Sequence, residues 1–432
     1  MAKDSKTPPN ANNGLSRLGQ KMAGDSGIVN LMDDLGQALA LRPDMIFMGG
    51  GNPSRITELE DIFAEKLQAV LADERERHKL FGIYQSPQGE LEFLEAVAKL
   101  LNEELSWPVS AKNIAVSNGS QSAFFNLFNM FAGRQNDGSY KKIQLPLAPE
   151  YLGYADVGVE DDLFVAAKPR IEELDDHLFK YRVDFEELNI GEDIGAICVS
   201  RPTNPTGNVL TDGEIAKLDQ LARSKGIPLI IDGAYGIPFP NMIFSEARPH
   251  WNDNTIVVFS FSKLGLPGAR TGIVVASEEV IQAFTNTNTI VSLASGTLGP
   301  SIGKQLFADG SILRISNDII RPYYQQAAES ACEAVKQSFG ELPYRLHKPE
   351  GAMFFWLWFK GLPISSEELY QRLKQRGVLV VAGHHFFVGL DEDWAHKDEC
   401  LRVTYSQSPE VVAKGIDIIA QEVRKAYQEA GQ

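Results

Sequence analysis

Short apolar runs, separated by helix-length segments, constrain the fold of this chain more than any other feature. The runs are Ile114–Val116, Ile143–Leu147, Leu163–Ala167, Ile194–Val199, Pro228–Ile231 and Ile256–Ser260. Between two of them, Gly213–Lys225 has helical spacing and stops at Gly226, a residue suited to the left-handed turn after a helix. Repeated strand–helix–strand units imply a mainly parallel sheet with helices on both faces. In such sheets ligands bind beyond the carboxyl ends of the strands. The polar loops that follow the runs are therefore where chemistry is expected.

The rest of the chain reads as follows. Residues 1–13 are polar and rich in Pro and Asn, and read as a disordered tail. Leu31–Leu41 has helical spacing and stops before Pro43. Met45–Met48 is a short strand. Leu59–Leu80 reads as one amphipathic helix, and Gly89-Glu90 opens another with Leu91, Leu94, Ala98 and Leu101 on one face. Ala123–Phe131 is apolar enough to lie inside. A long helical region spans Ser311–Phe339. Beyond it come strands at Ala352–Phe359, Val378–Ala382 and Leu401–Tyr405, with a helix at Ser366–Arg376. The expected fold class is α/β: a large mainly parallel sheet domain over 50–310, and a smaller α+β domain over 311–432 that includes the connecting long helix. Residues 14–49 are expected to pack with the small domain.

Composition narrows the functions. With 41 Lys and Arg against 57 Asp and Glu, the chain of 432 residues carries a net charge of −16. Such a chain repels phosphate over a broad face, so nucleic-acid binding is not expected, although a local cationic pocket is compatible with it. Cys198, Cys332 and Cys400 are too few and too scattered for a disulfide framework, and read as free thiols of a reducing compartment. No signal-peptide core and no run of ~18 apolar residues is present, so a cytoplasmic location without membrane contact is expected.

The loop after Ile256–Ser260 is the most informative. It reads Ser260-Phe261-Ser262-Lys263, then a Gly- and Pro-rich turn, then Arg270. A lysine tucked against a strand end loses hydration, which lowers its pKa and frees the amine to attack a carbonyl. Two hydroxyls and a guanidinium beside it suit a phosphate. Ser-x-Ser-Lys alone favours an exposed turn; the glycines and Arg270 weigh against that. Asn204 sits between prolines in Pro202–Gly207, which alone reads as an ordinary turn. Asp232 ends a buried strand just before Tyr235, and needs a cation, a metal or a helix cap. Gly119, Ser120 and Gln121 open a buried helix, where backbone amides bind phosphate or a plain cap forms. Tyr151 follows Pro149-Glu150, either stacked on a flat ring or in the core. His384-His385 and His396, near Asp391-Glu392-Asp393, fit no ligand spacing and read as a solvated loop; no metal is expected. Phe354–Phe359 reads as a buried strand near the wall of the site, with Phe354 and Trp356 as candidates for shaping an apolar side-chain pocket.

Taken in order, these motifs resemble the class I/II aminotransferases, pyridoxal-phosphate enzymes of fold type I. Met48–Ile56, Pro146–Gly158, Ser200–Asn208, Ile231–Pro249, Ser262–Gly272 and Lys348–Phe359 carry the resemblance, which covers nearly the whole chain after the tail. It implies pyridoxal 5'-phosphate as cofactor, with Lys263 forming the Schiff base and then moving the substrate proton. Asp232 would pair with the pyridine nitrogen, and Asn204 and Tyr235 would bond the phenolic oxygen. Tyr151 would stack on the ring. Ser120, Gln121, Ser260, Ser262 and Arg270 would hold the phosphate, with Gly119 allowing close approach. Tyr84 would reach the phosphate of a neighbouring subunit, implying a homodimer with shared sites. Arg402 would clamp the substrate carboxylate, with Gly51 and Asn204 beside it. The longer stretches imply exchange of an amino group between L-valine and pyruvate, giving 3-methyl-2-oxobutanoate and L-alanine. Another amino donor, or a lyase reaction, would use the same residues. A cofactor-binding regulator would need a DNA-binding domain, for which residues 1–30 are too short. A nicotinamide enzyme would need Gly-x-Gly-x-x-Gly after a strand, which is absent.

Overall fold

The computed structural model describes residues 14–24, 28–29, 32–33 and 45–431. The tail expected over 1–13, and most of the helix expected over Leu31–Leu41, lie outside the described residues. The first strand is β1 (Ile46–Phe47). β2 (Ile114–Ser117), β3 (Gly133–Arg134), β4 (Tyr140–Leu145) and β5 (Phe164–Ala166) follow, then a hairpin of β6 (Arg170–Glu173) and β7 (Leu178–Arg182). Next come β8 (Ile194–Ser200), β9 (Leu229–Asp232), β10 (Thr255–Ser260) and β11 (Gly272–Val275). The C-terminal part holds β12 (Tyr344–His347), β13 (Phe354–Phe359), β14 (Val378–Leu379), β15 (Val381–Ala382) and β16 (Cys400–Thr404).

Two sheets organise the fold. In the larger, the order is β2-β11-β10-β9-β8-β4-β3, with β5 added alongside β4. β10, β9, β8, β4 and β5 run parallel, and β11 is antiparallel to both β10 and β2. β8, β9 and β10 are buried along their whole length, as strands covered on both faces must be. The second sheet has the order β15-β16-β13-β12-β7-β6 and is mostly antiparallel. The hairpin β6–β7 falls inside the span 50–310, yet it joins this second sheet, with β7 parallel to β12. Of the N-terminal segment, β1 pairs with β14. Arg17–Met22 instead lies against Glu160 and Asp161, just before β5.

Two helical expectations need correction. The helix expected over Leu59–Leu80 is two helices, Thr57–Ala72 and Glu74–Gly82. Asp73 is extended and accepts a hydrogen bond from Glu76 N, so it caps the second helix and breaks the first. Leu94, Ala98 and Leu101 are buried as expected, but Leu91 is 61% exposed. The long region expected over Ser311–Phe339 is helical throughout, as Ser311–Arg314, a π-helical stretch at Ile315–Ile320, and Arg321–Phe339.

The core positions the lysine loop. Phe261, fully buried, packs edge-on to Phe93 and Phe239 and is stacked with Phe307. Burying such a ring stabilises by roughly 1.5–3 kcal/mol. Its backbone N–H donates to Thr271 O, and its carbonyl accepts from Leu264 N and Leu266 N. The turn two residues ahead of Phe261, which carries Lys263, is thereby fixed from behind.

Candidate active site

The carboxyl ends of β2, β8, β9 and β10 open onto one cavity of about 190 Å³. Gly51, Ser120, Gln121, Tyr151, Asn204, Asp232, Tyr235, Ser260, Ser262, Lys263, Arg270 and Arg402 all line it. They come from segments spread from residue 51 to residue 402. The parallel strands of the larger sheet present their carboxyl ends on one edge, which collects the residues that follow them, while Arg402 reaches the cavity from β16 of the second sheet.

Lys263 Nζ donates to the carbonyl of Gly51 and lies 5.5 Å from the centre of the Tyr235 ring. Burial, helped by the charges of Arg402 and Arg270 and opposed by Asp232, lowers its pKa to about 8. Asp232 accepts from the Tyr154 hydroxyl at 2.7 Å and from Ala234 N at 3.0 Å, and has no ion pair among the described residues. Burial pushes its pKa up, against both hydrogen bonds and the charge of Lys263.

On one side of Lys263 the groups suit an anion. The helix Ser120–Phe131 points its N-terminus into the cavity behind Gly119. A Cβ on Gly119 would fall 2.2 Å from Arg270 Nη2, so glycine, here at φ +88°, lets guanidinium and helix terminus close together. Arg270 Nη1 donates to Ser262 Oγ at 3.2 Å, and Ser262 N donates to Ser260 Oγ at 3.2 Å. Gln121 Nε2 donates to Gly153 O at 2.8 Å, while its Oε1 is buried without a partner. On the other side is Arg402, 1% exposed. It donates to Asn204 Oδ1 at 2.8 Å and to Gly49 O, between the rings of Phe354 at 4.3 Å and Phe386 at 5.0 Å. Its Nε is buried and unpaired.

These observations fit a phosphorylated pyridine aldehyde. The cradle of Gly119, Ser120, Ser260, Ser262 and Arg270 would hold the phosphate, Asp232 a cationic ring nitrogen, Tyr151 would offer a ring face, and Lys263 would meet the aldehyde. Tyr84 stands apart: it is 86% exposed and does not line the cavity of its own chain.

Other expectations change. Phe354 and Trp356 are fully buried and do not line the cavity; Phe354 instead backs the Arg402 guanidinium. The apolar lining comes from Ile28, Met32, Phe124 and Ala234. His396 is buried rather than solvated, because Trp394 stacks on it at 4.5 Å and Tyr181 hydrogen-bonds its Nε2. Sequence reasoning assigned no role to Tyr154, Ser200, Glu150 or Phe386. Tyr154 and Glu150 stood in the Pro149–Tyr154 motif, and the signal there was a carboxyl flanked by apolar residues.

An α/β enzyme with an amine nucleophile between an anion cradle and a buried guanidinium is what this fold and cavity define. The chain belongs to the family of class I and II aminotransferases, whose family model matches residues 171–419. It is 51% identical over 415 residues to valine–pyruvate aminotransferase of Escherichia coli (strain K12), covering 96% of this chain and 99% of that one. The crystal structure of valine-pyruvate aminotransferase from Salmonella typhimurium LT2 is 49% identical, with TM-score 0.86, covering 93% of this chain and 100% of that one. A solved chain from Psychrobacter arcticum 273-4 is 45% identical, with TM-score 0.93, covering 96% and 99%. The protein is therefore an aminotransferase, acting on amino and 2-oxo acids. Among the described residues no helix is long and apolar enough to cross a membrane.

Proposed function

We propose that this enzyme holds pyridoxal 5'-phosphate and transfers the amino group of L-valine to pyruvate, giving 3-methyl-2-oxobutanoate and L-alanine. The observation that carries this reading is one cavity holding Lys263, Asp232 and Arg402, in a chain 51% identical to an enzyme of that name. The lining supports a small apolar side chain. Of its two guanidiniums, Arg270 belongs to the phosphate cradle and Arg402 to the α-carboxylate, and none of the lining residues supplies a third for a side-chain carboxylate. Ile28 and Met32 face the space instead.

The bound cofactor supplies an aldehyde that takes up the amino group and a ring that accepts the electrons left at the substrate Cα. This chain's residues do the rest. Arg402, already desolvated, grips the substrate carboxylate and orients the Cα–H bond toward Lys263. Lys263 Nζ, with its pKa near 8, has a neutral fraction at neutral pH that can accept the Cα proton and return it one position away. Asp232, oriented by Tyr154 and Ala234 N, keeps a positive charge on the ring nitrogen. Asn204 holds Arg402 in place from the ring side. Both half-reactions use this one cavity, which gives ping-pong kinetics.

The working unit is a homodimer. Phe81, Ile83 and Tyr84 are exposed beside Ile290, Val291 and Leu293, and the bond from Thr297 Oγ1 to Leu80 O at 3.0 Å brings the two stretches together. An apolar surface of this kind is covered in an assembly. A partner there would carry Tyr84 toward the other copy's phosphate cradle. The free thiols Cys198, Cys332 and Cys400 are consistent with a reducing cytoplasm.

The test is the visible absorbance of the purified protein before and after L-valine, with Lys263→Ala alongside. The cofactor band of the wild type is expected to change with valine and to be restored by pyruvate, and Lys263→Ala to lose turnover by a factor of about 10⁴ or more. A wild type that never takes up the cofactor would sink the whole reading. A band that answers another amino acid but ignores valine would sink only the substrate.

A further inference from the structure

Outside the active cavity, the described residues hold two places where three side chains with metal-ligand atoms converge. In the first, Glu76, Glu90 and Glu92 surround Lys79 and Lys304, and each ammonium pairs with all three carboxylates. The lysines already supply the charge that a cation would bring. In the second, Glu367, His384 and His385 bring one carboxylate oxygen and two ring nitrogens within 4.8 Å of one another. No lysine or arginine among the described residues pairs with Glu367.

Two elements hold these donors in place. The helix Ser366–Gln375 starts behind Ser365, whose hydroxyl accepts from Glu368 N at 3.1 Å, so Glu367 stands in its first turn. Glu368 beside it is taken by Arg372. Glu367 Oε1 accepts from Gln371 Nε2 at 2.8 Å, and Oε2 lies 3.9 Å from His385 Nε2, too far for a hydrogen bond. The histidines stand on the short helical turn Gly383–Phe386 that follows β15, with ring centres 4.0 Å apart. Ser366 Oγ lies 3.1 Å from His384 Nδ1, which fixes that ring through one nitrogen and leaves the other. An imidazole bonded at its second nitrogen and a carboxylate bonded at its second oxygen have their directions set, as ligands of metal sites do.

The donor set selects the ion. Two imidazole nitrogens with one carboxylate oxygen suit zinc and its transition-metal neighbours, whereas magnesium and calcium take oxygen. Bonds of about 2.0–2.2 Å around one zinc put neighbouring donors about 3.4 Å apart, so the 3.9 Å gap between His385 and Glu367 closes with about 0.5 Å of side-chain movement. All three residues are half-buried, which leaves an entry path and a fourth position for water. We infer that Glu367, His384 and His385 form a zinc-type metal site that ties the helix Ser366–Gln375 to the turn Gly383–Phe386. None of the three lines the active cavity, so the ion's place is structural. It holds the turn whose last residue, Phe386, faces the Arg402 guanidinium at 5.0 Å.

The test is equilibrium dialysis of the purified protein, free of any affinity tag and stripped of metal by a chelator, against zinc chloride. Bound zinc is counted per chain, and one ion at this site is expected. His384→Asn and His385→Asn should each raise its Kd about tenfold or more. Ser366→Ala, which touches no metal but releases the His384 ring, should raise it about tenfold. Glu367→Gln, on the half-exposed first turn of the helix, should weaken binding as much, and locates the ion even if a histidine variant fails to fold. A hundredfold excess of Mg²⁺ should leave the zinc in place. At about ten times its Kd, zinc should also raise the unfolding temperature by about 2 °C or more, and Glu367→Gln should lose most of that gain. No saturable zinc, zinc held equally by Glu367→Gln and the wild type, or zinc displaced by that magnesium overturns the inference.

Discussion

Arg402 and Arg270 line the same cavity, and neither has an ion pair among the described residues, yet they are built in opposite ways. Arg402 sits on β16 opposite Trp356, fully buried, with aromatic rings against its guanidinium and only an amide and a carbonyl as acceptors. Burial takes its pKa down to about 10, against the opposing influence of Tyr235 and Tyr151. Arg270 is exposed, in the left-handed region at φ 44°, and leans on Ser262 Oγ and on Pro267 O at 3.4 Å. A buried guanidinium without a carboxylate is costly, and it is retained where an arriving carboxylate can take the missing place. That placement gives a strong contact to something that must come and go in every turnover. An exposed guanidinium among hydroxyls and helix amides contributes less by itself, and suits a resident anion held by several weak partners. The contrast supports the proposed roles, Arg402 for the substrate carboxylate and Arg270 for the cofactor phosphate.

The largest effect should separate the two. Arg402→Leu is expected to lower kcat/KM for L-valine by about 10³, the worth of a buried charge-assisted pair, while the cofactor Kd changes less than about threefold. Arg402→Lys should recover only part, since an ammonium cannot form two parallel bonds. Arg270→Leu should do the reverse: a cofactor Kd raised about 10–100-fold, with KM for valine in the loaded enzyme within about threefold. Steady-state kinetics beside cofactor titration reads both, and a variant that moves the two quantities together would erase the distinction.

The pair also differs in its reach to Lys263. Arg402 is the stronger of the two in depressing the lysine's pKa. The rate of cofactor uptake by apoprotein should rise with pH around a midpoint near 8, and that midpoint should move up in Arg402→Leu more than in Arg270→Leu. Because the folded amine titrates below the free one, its contribution to stability is full above about 10.5 and is lost as pH falls through about 8. Apoprotein with Lys263→Met should therefore be more stable than wild type at neutral pH, by on the order of 2–3 kcal/mol, with the gap closing above about pH 10. Denaturant melts at several pH values measure it, and a gap that widens with pH would mean that Lys263 is not desolvated.

How much of this was legible beforehand depended on where each residue stands. Lys263, Asp232, Asn204 and Ser120 follow apolar runs, and a parallel sheet gathers such positions at one edge whatever their distance in sequence. Arg402 has no such signal. It lies inside the apolar strand β16, and only resemblance gave it a role. Its aromatic support was half seen: Phe354 was singled out as cavity wall, but the ring turns to the guanidinium. The bond from Tyr154 to Asp232 was hidden because it brings together the turn around Tyr154 and the end of β9, 78 residues apart. β6 is polar and largely exposed, so no pattern marked it as a strand, and its pairing through β7 to β12 spans most of the chain's middle. His396 looked solvated among acidic neighbours, since the rings that cover it come from β7 and from Trp394.

The smallest expected effect tests whether the rings around Arg402 are part of the contrast or only packing. Phe386 lies 5.0 Å from the guanidinium, holds Trp356 edge-on at 5.6 Å, and accepts a hydrogen bond from Glu150 N through its carbonyl. Phe386→Leu keeps the backbone and most of the volume but removes the ring's negative face. A desolvated cation–π contact is worth about 1–2 kcal/mol. KM for valine should therefore rise about 3–10-fold with kcat retained, and Phe354→Leu, whose ring is nearer at 4.3 Å, should cost more. If both substitutions instead lower kcat and leave KM alone, the rings do not hold the guanidinium for the substrate. The difference between Arg402 and Arg270 would then rest on burial alone.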